Sequence, residues 1–244
     1  GCESATPAFF MIRFKLSVTT VLLLPSQCYY TYVVVCNLLT IMPRRTKAEA
    51  LETRNTILDA AIDVFFEKGV NSSSLNDIAR KAKVTRGAIY WHFKNKLHIF
   101  SALHDQLYSY LADTIFQDLQ NDHPHPLLQL ERLCTELIIE LQHDQNRFKA
   151  LSIVYLRCDY SGEMGQFLEQ QNVNRQRTIN LFSSYFERAK LHGHLPNDIN
   201  PQTLSAALLA YISGIVIEYI RSYPAIDLDT EGAGFMRLFF RNMG

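Results

Sequence analysis

The sequence predicts an all-α fold of about nine helices. Three observations carry this. Apolar residues recur at i, i+3 and i+4 in one segment after another from Ala48 onward. Capping residues and helix breakers fall between those segments at helical intervals. No alternating apolar–polar run survives with turn signals at both ends.

The elements follow in order. Ile57, Leu58, Ala61, Ile62 and Phe65 share one face of a first helix, which Gly69 stops. Ser74 and Asp77 give an S-x-x-D capping signal for a short second helix near 75–82. Ala82-Lys83-Val84 is a tight turn, and Thr85 caps a short third helix over 86–93. Asn95 caps a long fourth helix running toward Leu119, and residues 121–126 break the chain. A fifth helix, about 127–143, carries Leu130, Leu133, Leu137 and Leu141. A sixth, about 146–158, carries Phe148, Leu151, Tyr155 and Cys158. After Ser161-Gly162 a long seventh helix ends before Gly193. Pro201 opens an eighth helix, where its fixed φ is tolerated. Pro224 bars its continuation, and a ninth helix fills about 229–242.

Composition narrows the class. With 48% hydrophobic and 20% charged residues in 244, the chain is neither disordered nor a small disulfide scaffold. Lys+Arg and Asp+Glu balance at 24 each, but the charge is segregated. Residues 42–100 hold eleven basic and six acidic side chains, whereas residues 101–244 hold eleven and seventeen. A basic block beside an acidic one points to a module for a polyanion attached to a module that is not. Three of the five cysteines, at positions 2, 28 and 36, fall in the first 41 residues. Cys134 and Cys158 read as buried apolar thiols in a reducing compartment.

Residues 1–41 read differently from the rest. No charge occurs from Leu16 to Pro43, a stretch long enough to span a bilayer, and Arg13 and Lys15 resemble the basic start of a signal peptide. Pro25-Ser26-Gln27 interrupts that span, and Met42-Pro43-Arg44-Arg45-Thr46-Lys47 reads as a natural start. The expectation is a hydrophobic extension, non-native or disordered, ahead of a cytoplasmic protein with no membrane association. A membrane-anchored or exported helical protein is the alternative.

The informative stretch is Ser74 to Lys96. Two short helices lie about three residues apart, with small Ala79 where they cross and Leu75, Ile78, Val84 and Ile89 as a shared core. This is helix-turn-helix spacing, in which the second helix enters the major groove. That helix presents Arg86, Gly87, Tyr90 and His92. Arg86 can read guanine O6 and N7, and Gly87 leaves the helix start bare for close approach to DNA. Tyr90 and His92 can donate to phosphates, and Lys96 adds charge at the start of the next helix. Arg44, Arg45 and Lys47 form a basic arm able to follow the backbone or a minor groove. Ser74 and Thr85, at the two helix starts, complete the candidate DNA-binding set.

Thr85 to Lys96, TRGAIYWHFKNK, closely resembles the recognition segment of the TetR family of transcriptional repressors. Glu49–Arg54 and Ile57–Ala61 look like the same family, nearest its AcrR-like multidrug-efflux subgroup. Cys158–Met164, Leu195-Pro196 and Ala210–Gly214 resemble later parts of that subgroup, so the likeness covers about 42–244. One departure is Lys83, where the family often has Gly in a left-handed backbone; a non-Gly residue there costs about 1 kcal/mol.

The resemblance implies a DNA-binding domain over 42–94 and an effector-binding and dimerisation domain over 95–244. It implies that Leu107, Tyr108, Leu151, Tyr155, Phe182, Leu209, Ile212 and Val216 line a pocket for a small lipophilic or cationic effector. It also implies a homodimer through the eighth and ninth helices, for which Leu204, Ala207, Leu208, Ile215, Tyr219, Phe235, Leu238 and Phe239 are candidates. The function expected is repression of a multidrug efflux operon, relieved by the effector; a repressor for one metabolite or lipid pathway is the alternative. No catalytic motif or cofactor fingerprint is present. His123-Pro-His125 and His192-Gly-His194 read as loop residues rather than metal ligands, because no Cys or carboxylate accompanies them at ligand spacing.

Overall fold

The computed structural model describes residues 46–241 and 243. The expectations for residues 1–41, and for Arg44 and Arg45, lie outside the described residues. Among those described there are nine α-helices, one 3-10 turn and no strand. They are α1 (Lys47–Lys68), α2 (Leu75–Ala82), α3 (Arg86–His92), α4 (Lys96–Leu119), α5 (Pro126–His143), α6 (Gln145–Leu156), a 3-10 turn (Gly162–Gly165), α7 (Gln166–Leu191), α8 (Pro201–Ser222) and α9 (Leu228–Phe240).

Local chemistry sets most of these boundaries. The Asn95, Asp144, Asn200 and Asp227 side chains each accept a backbone N–H in the first turn of α4, α6, α8 and α9. Gly69, at φ +78°, ends α1, and Gly193, at φ +72°, follows α7.

Two hydrophobic cores result. The first joins α1, α2, α3 and the start of α4 through Ile57, Phe65, Ile78, Ile89, Phe93 and Phe100. It is completed from a distance by Ile153 of α6, Met164 of the 3-10 turn and Phe167 of α7. The second joins the later helices through Ile115, Leu130, Phe182, Tyr185, Leu208, Tyr219 and Met236. α4 belongs to both: Ile99, Phe100 and Leu103 lie in the first, Ile115 and Leu119 in the second. α9 lies against α5 at Gly232, where an added methyl would meet Ile139 Cγ1 at 3.2 Å.

Two boundaries depart from expectation: α9 ends at Phe240 rather than near 242, and the end of α6 also differs. α6 ends at Leu156, so Cys158 is off the helix. The cause is not local. The Arg157 carbonyl accepts the Val70 N–H at 3.3 Å, and the Arg157 guanidinium lies 4.6 Å from the centre of the Phe66 ring. Both partners sit at the end of α1, so the chain leaves the helix to dock there. The 3-10 turn at Gly162–Gly165 then leads into α7, where the sequence suggested only a break.

Candidate functional site

The helix-turn-helix is built by its caps. Ser74 Oγ accepts the Asp77 N–H at 3.2 Å, and Asp77 Oδ2 accepts the Ser74 N–H at 3.1 Å. Lys68 bonds the same carboxylate at 2.7 Å. That ammonium and the Ser74 hydroxyl hold the Asp77 carboxyl well down, to about 2. Lys83 adopts φ 54°, ψ 37°, the left-handed turn foreseen for it, and Val84 N–H closes onto the Ala79 carbonyl at 3.1 Å. Thr85 Oγ1 accepts the Ala88 N–H at 3.1 Å and starts α3. Ile78 and Ile89 are fully buried, Ala79 is buried, and Leu75 and Val84 pack against them.

α3 keeps a single buried side chain of its own, Ile89. Arg86, Gly87, Tyr90 and Trp91 are exposed. Arg86 Nη2 donates to Tyr90 Oη at 2.9 Å, and its guanidinium lies 5.3 Å from that ring's centre, so the arginine is laid along the helix. His92 is half-buried, 4.6 Å from the Trp91 ring. Trp91, 72% exposed, belongs to this face, although it is not among the residues singled out from the sequence.

Two of the expected DNA contacts have partners within the chain. The Lys96 ammonium donates to the carbonyls of Asn71 and Ser73, each at 2.9 Å. It ties the loop before α2 to the start of α4, and partial burial lowers its pKa. The Ser74 hydroxyl is engaged in the capping box.

A cavity of about 410 Å³ lies among the later helices. Leu107, Tyr108, Leu151, Tyr155, Phe182, Leu209, Ile212 and Val216 all line it. Its walls come from α4, α5, α6, α7 and α8. Burial raises the Tyr108 and Tyr155 phenols, which stay neutral donors. Cys134 also lines it, buried and free. Sequence reasoning missed the polar part: Tyr110, Arg147, Gln171, Asn172, Arg175 and Thr178. No Asp or Glu is among the lining residues, so a cationic effector would find no counter-charge on these walls.

The cavity and the helix-turn-helix share their supports. A run of rings, from Phe65 of α1 onward along α4, leads from one to the other. Phe65 and Phe100 are 6.4 Å apart, Phe100 and His104 6.2 Å, and His104 and the cavity residue Tyr108 4.6 Å. His104 is 1% exposed, neither ring nitrogen has a hydrogen-bond partner, and burial lowers its pKa. α6 offers Leu151 and Tyr155 to the cavity, while Ile153 enters the first core. On the same helix Lys149 bonds Asp63 of α1 at 2.6 Å.

α8 is long and apolar enough to cross a membrane by length and composition, yet only Ser205, Leu208, Tyr219 and Ile220 are buried within this chain. Among the expected interface residues, Leu208 and Tyr219 are core, which corrects their assignment. Leu204, Ala207, Ile215, Phe235 and Phe239 keep some exposure, and Leu238 is 66% exposed. The two histidine pairs, far apart in sequence, meet: the His125 and His194 rings stack at 4.9 Å. Among the described residues no group of three or more His, Cys, Asp or Glu is arranged to hold a metal.

Residues 57–103 match the family model for bacterial regulatory proteins of the tetR family, and residues 125–243 match that for the C-terminal region of MAATS-type transcriptional repressors. The chain is 36% identical over 190 residues to the HTH-type transcriptional repressor BepR of Brucella suis, covering 78% of this chain and 91% of BepR. Among solved structures, NalD is the secondary repressor of the MexAB-OprM multidrug efflux pump in Pseudomonas aeruginosa. It superposes with a TM-score of 0.68 at 34% identity, covering 80% of this chain and 98% of NalD. SmeT, repressor of the Stenotrophomonas maltophilia multidrug efflux pump SmeDEF, is solved in complex with triclosan. That structure gives 0.70 at 27% identity, covering 78% and 90%. The paired short helices, the cavity beside them and these matches over both halves give one answer: the chain belongs to the TetR family and is a transcriptional repressor of that family.

Proposed function

We propose that this repressor controls a multidrug efflux operon, binds its operator as a dimer in the cytoplasm, and is released when a small lipophilic effector fills the 410 Å³ cavity. It carries out no catalysis. The observation that carries the reading is the shared support: α4 and α6 each line the cavity and each help to close the first core. The efflux-pump repressors NalD and SmeT, and the triclosan complex of SmeT, support the choice of operon and of effector.

In this reading residues 42–94 read DNA and residues 95–244 bind effector and partner, with α4 crossing between them. Arg86 leaves Tyr90 to pair with a base edge, and Gly87 lets the backbone approach. Tyr90 and His92, with Trp91 beside them, meet phosphate and sugar. Thr85 and Ser74 fix the two helix starts, Lys96 fixes the loop between α1 and α2, and Arg44 and Arg45 follow the backbone. Pairing two copies through the outer faces of α8 and α9 buries apolar surface that one chain leaves open, stabilising by about 25 cal/mol per Å². The two α3 helices must then stand roughly 34–36 Å apart to enter successive major grooves.

The mechanism is a shift of population. An occupant pressing Tyr108 on α4 and Tyr155 on α6 displaces helices that also hold α1 and α3. If it binds better where α3 is wrongly spaced, it drains the DNA-competent dimer. A gel shift on DNA upstream of the gene, repeated with lipophilic dyes, bile salts and fatty acyl compounds, tests this. Retarded DNA should be freed by some of them. Binding that none of them affects refutes the efflux reading.

A further inference from the structure

The charge on the cavity wall is one-sided. Its two ionised side chains are Arg147 and Arg175, and no carboxylate lines it. The two arginines are not equivalent. Arg147 is neutralised: Glu140 lies at 2.7 Å and Asp144 at 3.5 Å, and its guanidinium stacks 4.0 Å from the centre of the Tyr110 ring. Tyr110 Oη in turn donates to Glu140 at 2.9 Å. Arg175, in the first half of α7, is itself exposed and has no ion pair and no side-chain hydrogen bond among the described residues. Asp105 belongs to a neighbouring cleft, which Arg177 also lines.

The neighbours of Arg175 on the same helical face are Gln171, Asn172 and Thr178, at i−4, i−3 and i+3. Gln171 is anchored, its amide donating to Tyr160 Oη at 2.7 Å. Other walls carry Leu107, Leu209, Ile212 and Val216. The cavity thus has an apolar body and a polar flank with one uncompensated cation. A guanidinium presents a planar fork of donors that fits a carboxylate with two parallel bonds. A cationic guest would leave water for a wall that repels it and offers no anion.

We propose that the effector is an amphiphilic anion, an aliphatic or aromatic monocarboxylate whose apolar part fills the cavity and whose carboxylate pairs with Arg175. This rests on the effector reading above and names its ligand class. Arg175 would be the specificity-determining residue, because it alone distinguishes the anion from a neutral molecule of the same shape.

The test uses the full chain and three ten-carbon probes below their micellar concentrations: decanoate, decanol and decyltrimethylammonium. Binding is followed by calorimetry and release of operator by gel shift. Decanoate should bind about two- to fivefold tighter than decanol, as an ion pair with an exposed arginine implies, and decyltrimethylammonium weakest. Arg175→Gln should bring decanoate down to the level of decanol while leaving decanol unchanged, and Arg175→Lys should restore part of the preference. Equal binding of decanoate and decanol, tighter binding of the ammonium, or an unaltered preference in Arg175→Gln overturns the anion proposal and leaves the effector reading standing. Failure of all three probes to bind a protein that still retards its operator overturns the anion proposal, and the effector reading falls with it only if the wider panel of dyes, bile salts and fatty acyl compounds also frees no DNA.

Discussion

α3 touches the rest of the protein through very little, and this makes Ile89→Ala an informative change. Ile89 is the one buried residue of a seven-residue helix, packed with Ile78, Ala79 and Phe93 in the first core. An isolated helix of that length is unstable in water, so α3 exists because Ile89 and the flanking Phe93 hold it down. Truncating a fully buried Ile to Ala costs about 2–5 kcal/mol. Taking roughly 3 kcal/mol, the docked fraction of α3 falls about a hundredfold relative to its undocked form. The apparent dissociation constant for operator is the intrinsic one divided by the remaining competent fraction, so affinity falls in proportion as that fraction drops. Both copies of the recognition helix pay in a dimer, so the effect on DNA is compounded.

No cavity residue belongs to this part of the core, so effector binding should stay within about twofold. Titrating operator by fluorescence anisotropy, effector by calorimetry and unfolding by urea on the same preparation separates the terms. Ile89→Val, costing about 0.5–1.5 kcal/mol, supplies a graded control. Operator affinity unchanged in Ile89→Ala, or effector affinity falling as far as operator affinity, would show that α3 is not held and used in this way.

Other perturbations follow from the same geometry. Arg86→Ala should lose about 1–3 kcal/mol of discrimination at one base pair, seen by comparing a set of singly substituted operators; an unaltered ranking of those operators contradicts its assigned role. Lys96→Met removes the donor shared by the Asn71 and Ser73 carbonyls and should cost about 1–3 kcal/mol in urea unfolding. If stability holds while the salt slope of DNA binding drops by about 1, the ammonium is a phosphate contact instead. His104 is buried without a partner and held below its ordinary 6.5. The unfolded chain therefore takes up the proton first, so this contribution is full above pH 6.5 and declines as pH falls toward the folded-state value, at no more than about 1.4 kcal/mol per pH unit. Phe100, Tyr108 and Phe167 lie around the ring, and the Asp105 charge partly opposes the lowering. His104→Phe should flatten that acid limb, and parallel curves for the two proteins would refute the account.

What could be read in the sequence was local. Ser74 with Asp77, Thr85, Asn95 and Pro201 each act within four residues, so the helix starts were legible, as was the left-handed turn at Lys83. The apolar cavity residues were legible through family resemblance, since a stripe at helical spacing looks the same whether it lines a core or a cavity. Long-range partners were not. Arg157 leaves α6 for Val70, and Lys96 reaches back to Asn71 and Ser73. Arg175 sits in Gln170–Thr178, a stretch so polar that it reads as solvated, and its side chain is exposed; only the walls that α5 and α8 add beside α7 make it part of a cavity lining.

α6 faces two ways, with Leu151 and Tyr155 toward the cavity and Lys149 and Ile153 toward the DNA-reading module. Thermodynamic linkage makes any coupling through it mutual: whatever factor an inducer takes from operator affinity, the operator takes from inducer affinity. Dissociation constants measured on the DNA-free protein therefore overstate potency at an occupied promoter. The dose that switches the genes on is set partly by how many operators the cell carries and how tightly each is held.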